Sequence, residues 1–192
     1  AVVRSHARAV EQMILVGNSA DGIYGTSGAA PNGLIADAIA DSDKTQHATA
    51  FASHPDMVAT ELLAARKNMG KYGVPPTDII FIVSLDKYHE LIADTAYADA
   101  SQVEGLATKL TGQVGQVYGT PVIVSEEFAA AATSKFYAIA VNPRNYVIPR
   151  LRGVTVESDY EVANQRRVLV ATQRIGFTDI IDNVTSKWAL RY

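Results

Sequence analysis

The sequence predicts an α+β fold, with a part that mixes helices and strands followed by a part built mainly of strands. Three observations carry that expectation. Apolar residues recur at helical spacing over residues 2–16 and 56–69. Apolar runs of strand length, above all Ile79-Ile80-Phe81-Ile82-Val83, stand between turn signals. From Tyr146 onward strand-like stretches take over, the longest being Arg167 to Phe177, where Val168, Val170 and Thr172 alternate with Leu169, Ala171 and Gln173.

In chain order, Val3, Ala7, Val10 and Ile14 mark one face of a first helix, which stops at Gly17-Asn18. Gly17, Gly22, Gly25, Gly28, Pro31 and Gly33 make the next stretch a loop, and residues 35–55 are alanine-rich with no clear period. A second helix over 56–69 has Pro55 and Asp56 at its start and Val58, Leu62, Ala65 and Met69 on one face, with Gly70 as a left-handed stop. Gly73-Val74-Pro75-Pro76 is a rigid turn into the strand 79–83. Ser84 is expected to cap a helix to about Ile92 whose inner face carries Leu85, Tyr88 and Ile92. Residues 93–118 are mixed, with a short helix expected near 101–110. Gly119-Thr120-Pro121 turns into the strand 122–124, Phe136 to Val141 is another strand, and Asn142-Pro143-Arg144-Asn145 is a turn. Tyr146 to Pro149 and Val154 to Val156 read as strands before the long final one.

Composition narrows the function classes. The chain has 192 residues, enough for one large or two small domains, and 48% are apolar, so a core can form. Seventeen basic residues against 20 acidic ones give a net charge of −3, without the basic stripe of a nucleic-acid reader. With no cysteine, disulfides and thiolate metal sites are excluded, which fits assembly in a cytosol. No stretch approaches the roughly 18 consecutive apolar residues of a membrane span, so no membrane partner is expected. Ala1 to Val16 lacks the apolar core of a signal peptide. With Ala1 in place of Met, an upstream part is expected to precede the sequence.

Each candidate chemical motif fails on its spacing. The glycines between Gly17 and Gly33 are followed by no Lys-Ser or Lys-Thr, and Gly22, Gly25 and Gly28 are evenly spaced after a helix, so neither phosphate-loop pattern is met. Gly17-Asn18-Ser19 starts like a nucleophile elbow, but Asp21 stands where its second glycine belongs. His6, His47, His54 and His89 include no pair four residues apart, so no helical zinc pair exists. Glu157, Asp159 and Glu161 offer oxygen ligands suited to calcium, yet lack the glycine and distal glutamate of an EF-hand loop. A charged turn or an interface edge suits them better. No catalytic residue, cofactor or metal is therefore expected.

The strand-rich end supplies the positive signal. A strand as long as Arg167 to Phe177 leaves an edge that a monomer must blunt and an assembly can use. It is surrounded by Arg150, Arg152, Glu157, Asp159, Glu161, Arg166, Arg167 and Arg174. Arginine forks pair bidentately with carboxylates and suit protein interfaces, so these eight residues are the candidate intersubunit contacts.

Three segments in order resemble the HK97-like major capsid proteins of bacteriophages. The first is a helix running into Ile14-Leu15-Val16-Gly17-Asn18, then Asp21-Gly22-Ile23-Tyr24-Gly25 and Pro31-Asn32-Gly33-Leu34-Ile35. The second is the strand–helix unit Ile79 to Ile92 followed by Tyr118-Gly119-Thr120-Pro121-Val122-Ile123-Val124-Ser125. The third runs from Phe136 to the closing Arg174-Ile175-Gly176-Phe177. The resemblance implies an axial α/β domain over residues 46–144, a discontinuous, partial and β-rich peripheral domain from 1–45 and 145–180, and a C-terminal segment, 181–192. It also implies an N-terminal arm, an extended loop and most of a spine helix upstream, all missing from this sequence. Copies would form pentamers and hexamers of an icosahedral head around double-stranded DNA, bound without sequence specificity on a mildly acidic inner face. Scaffold, portal or decoration proteins would be further partners, the virion the location and the host cytoplasm the place of assembly. Other readings stay open: an encapsulin-type nanocompartment shell, a small serine hydrolase using Ser19 or Ser27, and a monomeric accessory module.

Overall fold

The computed structural model describes residues 2–17, 32–40, 45–47, 57–93, 115–128, 135–182 and 184–191. The helices are α1 (Val2–Leu15), α2 (Leu34–Ala40), α3 (Ala59–Asn68) and α4 (Leu85–Ala93). The strands are β1 (Thr45–His47), β2 (Ile80–Ser84), β3 (Gln116–Val117), β4 (Thr120–Ser125), β5 (Phe136–Val141), β6 (Tyr146–Val147), β7 (Arg150–Glu161), β8 (Arg166–Ile175), β9 (Thr178–Asp179) and β10 (Lys187–Arg191).

Six strands make one sheet in the order β1-β10-β5-β2-β4-β3. β5 runs antiparallel to both its neighbours, whereas β2–β4 and β1–β10 are parallel pairs. Helices cover both faces. On one side Leu62 and Ala65 of α3, Met69 just after it, and Tyr88 and Leu91 of α4 pack on Phe81, Val83, Ala138, Ala140 and Leu190. On the other, Leu15 and Val16 at the end of α1 and Leu34, Ile35 and Ala38 of α2 pack on Phe136, Ile139, Val141 and Ala189, flanked by Ile80 and Ile82. A strand buried on both faces cannot alternate apolar with polar residues. That is why Ile79 to Val83 and Phe136 to Val141 are continuous apolar runs, and all six residues of β5 are buried.

Local chemistry fixes the connections. Gly70, at φ +56°, takes the left-handed position after α3, as its place in the sequence predicts. β3 and β4 are joined by Tyr118 and Gly119, both at positive φ (51° and 75°), a two-residue turn whose twist suits a tight hairpin. Asn142 accepts a hydrogen bond from the Arg144 N–H (3.1 Å) and so starts the turn predicted there.

Some expectations are corrected. The helix expected over 56–69 begins at Ala59, after an extended Val58 that makes no side-chain cap, and Pro55 and Asp56 lie outside the described residues. Ser84 does not cap α4: it ends β2, and its buried hydroxyl has no hydrogen-bond partner. In α4 Leu91 takes the core position and Leu85 is exposed, because the helix turns directly out of the strand and rotates its inner face. Residues 35–55, which showed no period, contain the short α2 and β1. The helix expected near 101–110 and most of the glycine-rich loop lie outside the described residues. The segment 181–192 supplies β10, which lies between β1 and β5.

Candidate subunit interface

The strand-rich end leaves the sheet as a two-stranded ribbon. β6 pairs with β9 at its root, and the Gly176 N–H donates to the Pro149 carbonyl (2.9 Å) where the two chains part. Beyond that point β7 and β8 pair antiparallel, from Arg150 opposite Ile175 to Glu161 opposite Arg166, with register shifts between Arg150 and Arg152 and between Arg152 and Thr155. Val162 to Asn164 and the left-handed Gln165 (φ +48°) turn the chain at the tip. Sequence reading divided β7 into shorter strands and offered a charged turn or an interface edge for Glu157, Asp159 and Glu161. They lie within the strand and not in a turn.

Register sorts the side chains onto two faces. Val156, Ser158 and Tyr160 share one with Ala171, Leu169 and Arg167. Thr155, Glu157, Asp159 and Glu161 share the other with Thr172, Val170, Val168 and Arg166, and the Arg152–Arg174 pair continues it toward the root. Both faces are open. Leu151 is 80% exposed, and Val154, Val156, Tyr160, Leu169 and Val170 each about half exposed. No residue from 146 to 176 is buried.

The predicted charges are only partly brought together. At the tip Arg166 donates to Glu161 (2.5 Å), whose other oxygen accepts from Asn164 (2.7 Å). Arg152 approaches Glu157 at 3.8 Å with both side chains exposed, a contact worth little in water. Asp159 accepts from the Tyr160 backbone N–H (2.8 Å). Among the described residues Arg150, Arg167, Arg174 and Asp159 form no ion pair.

The root is held firmly, and by residues that sequence reading did not single out. Asn145 donates to the Ile181 carbonyl and the Ser186 hydroxyl (both 3.0 Å) and accepts from the Ile181 N–H (3.2 Å). Tyr146 stacks on Phe177 at 5.2 Å. The fully buried Lys187 bonds Asp37 of α2 (2.5 Å) and lies 3.8 Å from Asp179 of β9, joining helix, sheet and ribbon root. Burial pushes the Asp179 carboxyl up from its ordinary pKa, the Asp37 charge adds to this, and Lys187 opposes it. A lysine within the apolar stretch Lys187-Trp188-Ala189-Leu190 is the one sequence signal that could have exposed this cluster. α1 meets the ribbon through His6 and Gln173 (2.5 Å) and the sheet through Ser125 donating to Glu11 (2.6 Å) and an Arg8–Glu127 pair.

A second buried cluster ties α3 and α4 to β5. Tyr137 donates to Glu61 (3.0 Å), and Lys87 donates to Glu90 (2.7 Å), which also accepts from the Met57 N–H (2.8 Å). A cavity of about 330 Å³ between α1 and the sheet is lined by Val10, Ile14, Leu15, Leu34, Ile82 and Ile123, and its polar members Glu11 and Ser125 bond each other. Among the described residues no three His, Asp or Glu side chains converge to hold a metal. Ser19 and Ser27 lie outside the described residues.

No protein-family model matches the chain. Over 174 residues, 91% of its length, it is 33% identical to the major capsid protein of Escherichia phage T5. The three-layer sheet with its protruding ribbon superposes on the capsid of an empty GTA particle with a TM-score of 0.57, 16% identity, and coverage of 100% of this chain and 63% of that one. The chain has the HK97-like capsid fold. An encapsulin from Synechococcus elongatus PCC 7942 shares that fold with a TM-score of 0.54 at 13% identity, over 83% of this chain and 56% of its own. The present HK97-like chain spans 36% of the length of its T5 homologue.

Proposed function

We propose that this chain is the shell-building part of a phage major capsid protein, whose copies assemble into pentamers and hexamers of an icosahedral head around double-stranded DNA. One observation carries the reading. The β7–β8 ribbon holds apolar and charged side chains on two open faces, and an isolated two-stranded ribbon is marginally stable in water. A surface of this kind is completed by contact with other copies, and repeated contacts at a fixed rotation close a shell. Similarity to the T5 protein, 33% identical over 91% of the chain, supports the same conclusion. In this reading residues 46–144 form the axial domain, 1–45 and 145–180 the peripheral one, and the protein works in the virion as a structural component, not an enzyme, after assembly in the host cytoplasm. DNA meets the inner face without sequence specificity, and scaffold, portal and decoration proteins act on the assembled subunits.

Expression of the full-length gene tests this directly. Sedimentation and negative-stain microscopy are expected to find closed megadalton particles, and a protein that stays monomeric would sink the proposal. Arg167→Glu is expected to impair assembly while leaving the circular-dichroism spectrum of the subunit unchanged. Similarity to the S. elongatus encapsulin keeps a second reading, a nanocompartment around protein cargo. Nuclease-protected DNA in particles made in phage-infected cells favours the head, whereas a co-purifying enzyme favours the compartment.

A further inference from the structure

On the charged face of the ribbon the two signs are separated along its length. At the root Arg152 and Arg174 stand directly opposite each other. Like charges in a cross-strand pair repel unless a counter-charge is supplied. Toward the tip the same face carries Thr155 and Thr172, then Glu157 beside Val170 and Asp159 beside Val168. Glu161 is already taken up by Arg166 and Asn164. Arg174 and Asp159 have no opposite charge within reach among the described residues. Within one copy Arg152 reaches Glu157 only at 3.8 Å with both side chains exposed, and four residues of strand, about 13 Å at the rise of an extended chain, separate Arg174 from the level of Glu157, so Arg174 and Asp159 stay uncompensated.

A basic root and an acidic outer half on one face are complementary to the same face of another copy. We propose that Glu157 and Asp159 of one ribbon lie against Arg152 and Arg174 at the root of a neighbouring copy's ribbon. The proposal rests on the shell reading and specifies which surfaces meet. It explains why the like-charged pair is tolerated: the neighbour's carboxylates fall between the two guanidinium groups, whose planar forks donate to them bidentately. It also sets the offset between copies, because tip must overlie root.

Charge swapping in the full-length protein tests the pairing. Arg174→Glu and Asp159→Arg are each expected to lower particle yield about tenfold or more, since each places like charges together across the interface. Combined in one chain they are expected to return the yield to within about twofold of wild type, because the swap restores opposite charges. Thermal melts of the unassembled subunits are expected to be unchanged, as both side chains are exposed. Cross-linking gives an independent readout, helped by the absence of cysteine from these 192 residues. Asp159→Cys and Arg174→Cys subunits, co-expressed and treated with a short bis-maleimide, are expected to give a covalent dimer that neither variant gives alone. Particles that form without that dimer, or a double variant as defective as the singles, would overturn the pairing and leave the shell reading intact. Failure of the wild type to form particles would overturn both.

Discussion

Lys187 has no exposed surface, and its charge is tolerated because Asp37 lies 2.5 Å away. Breaking a buried pair by removing one partner leaves the other charge without compensation, which is far costlier than losing a surface ion pair. Asp37→Ala is therefore expected to destabilise the subunit by about 3 kcal/mol in urea unfolding, the low end for a buried pair, because Asp179 stays near the lysine. Glu61 presents the opposite case. Burial raises its carboxyl pKa above the ordinary value, and the Glu90 charge adds to that, while the Tyr137 hydrogen bond and Lys87 oppose it. The folded chain thus holds a proton at Glu61 that the unfolded chain releases at lower pH. This group's contribution to stability is greatest below the ordinary carboxylate pKa and declines as pH rises through the raised one. Glu61→Gln keeps an acceptor for Tyr137 and removes the charge. Unfolding measured across mildly acidic pH is expected to show a shallower decline for this variant than for the wild type. Equal slopes would show that Glu61 is not the group responsible.

At the scale of elements, the turn after α3 shows how closely packed backbone limits substitution. Arg66 reaches over the turn to donate to the carbonyls of Gly73 (2.6 Å) and Val74 (2.7 Å), drawing the chain in until a Cβ on Gly73 would lie 2.1 Å from the Arg66 carbonyl oxygen. Gly73→Ala is expected to cost about 1–3 kcal/mol, since the turn must open and loosen both hydrogen bonds. A thermal melt of the variant measures it, and an unchanged midpoint would mean that the turn adjusts freely. Gly70, the proline-bounded turn and the apolar runs of β2 and β5 were legible in the sequence because each is dictated by local chemistry or by burial on two faces. α2 and β1 were not. With seven and three residues they are too short to display a period, and their neighbours in the sheet are distant in the chain. On the inner face of α4 Tyr88 and Ile92 were read correctly, but Leu85 was included and Leu91 missed for a similar reason: the strand it leaves, and not its own periodicity, sets its rotation. Of the candidate interface, the charges and the strand β8 could be read directly, whereas Glu157 and Asp159 took their place on β7 only once pairing with β8 fixed the register. Lys187 and Asp37 were missed because their partnership joins residues 150 positions apart.

For the whole molecule, the two core clusters and the ribbon are separate in composition. Every core residue lies at or before Val141, or at or after Phe177, so the ribbon from Arg150 to Ile175 contributes no side chain to either cluster. At its root the chain already returns on itself, with the Gly176 N–H bonded to Pro149 and β6 paired with β9. Replacing residues 151–174 by Asn-Gly, a pair suited to a two-residue hairpin turn, should therefore close the chain without opening the core. In the full-length protein the deletion is expected to change subunit stability by about 1 kcal/mol or less, because a two-stranded ribbon with open faces has little stability of its own to contribute. Assembly is expected to fail completely, with sedimentation showing subunits or small oligomers only. The two readings are independent, which gives the experiment its force. An unfolded deletion variant would mean that the ribbon braces the sheet through α1, where His6 meets Gln173. A folded variant that still builds particles would move the subunit contacts to the covered sheet or the helices. Only a folded variant that no longer assembles is consistent with a ribbon whose exposed side chains exist to meet another copy.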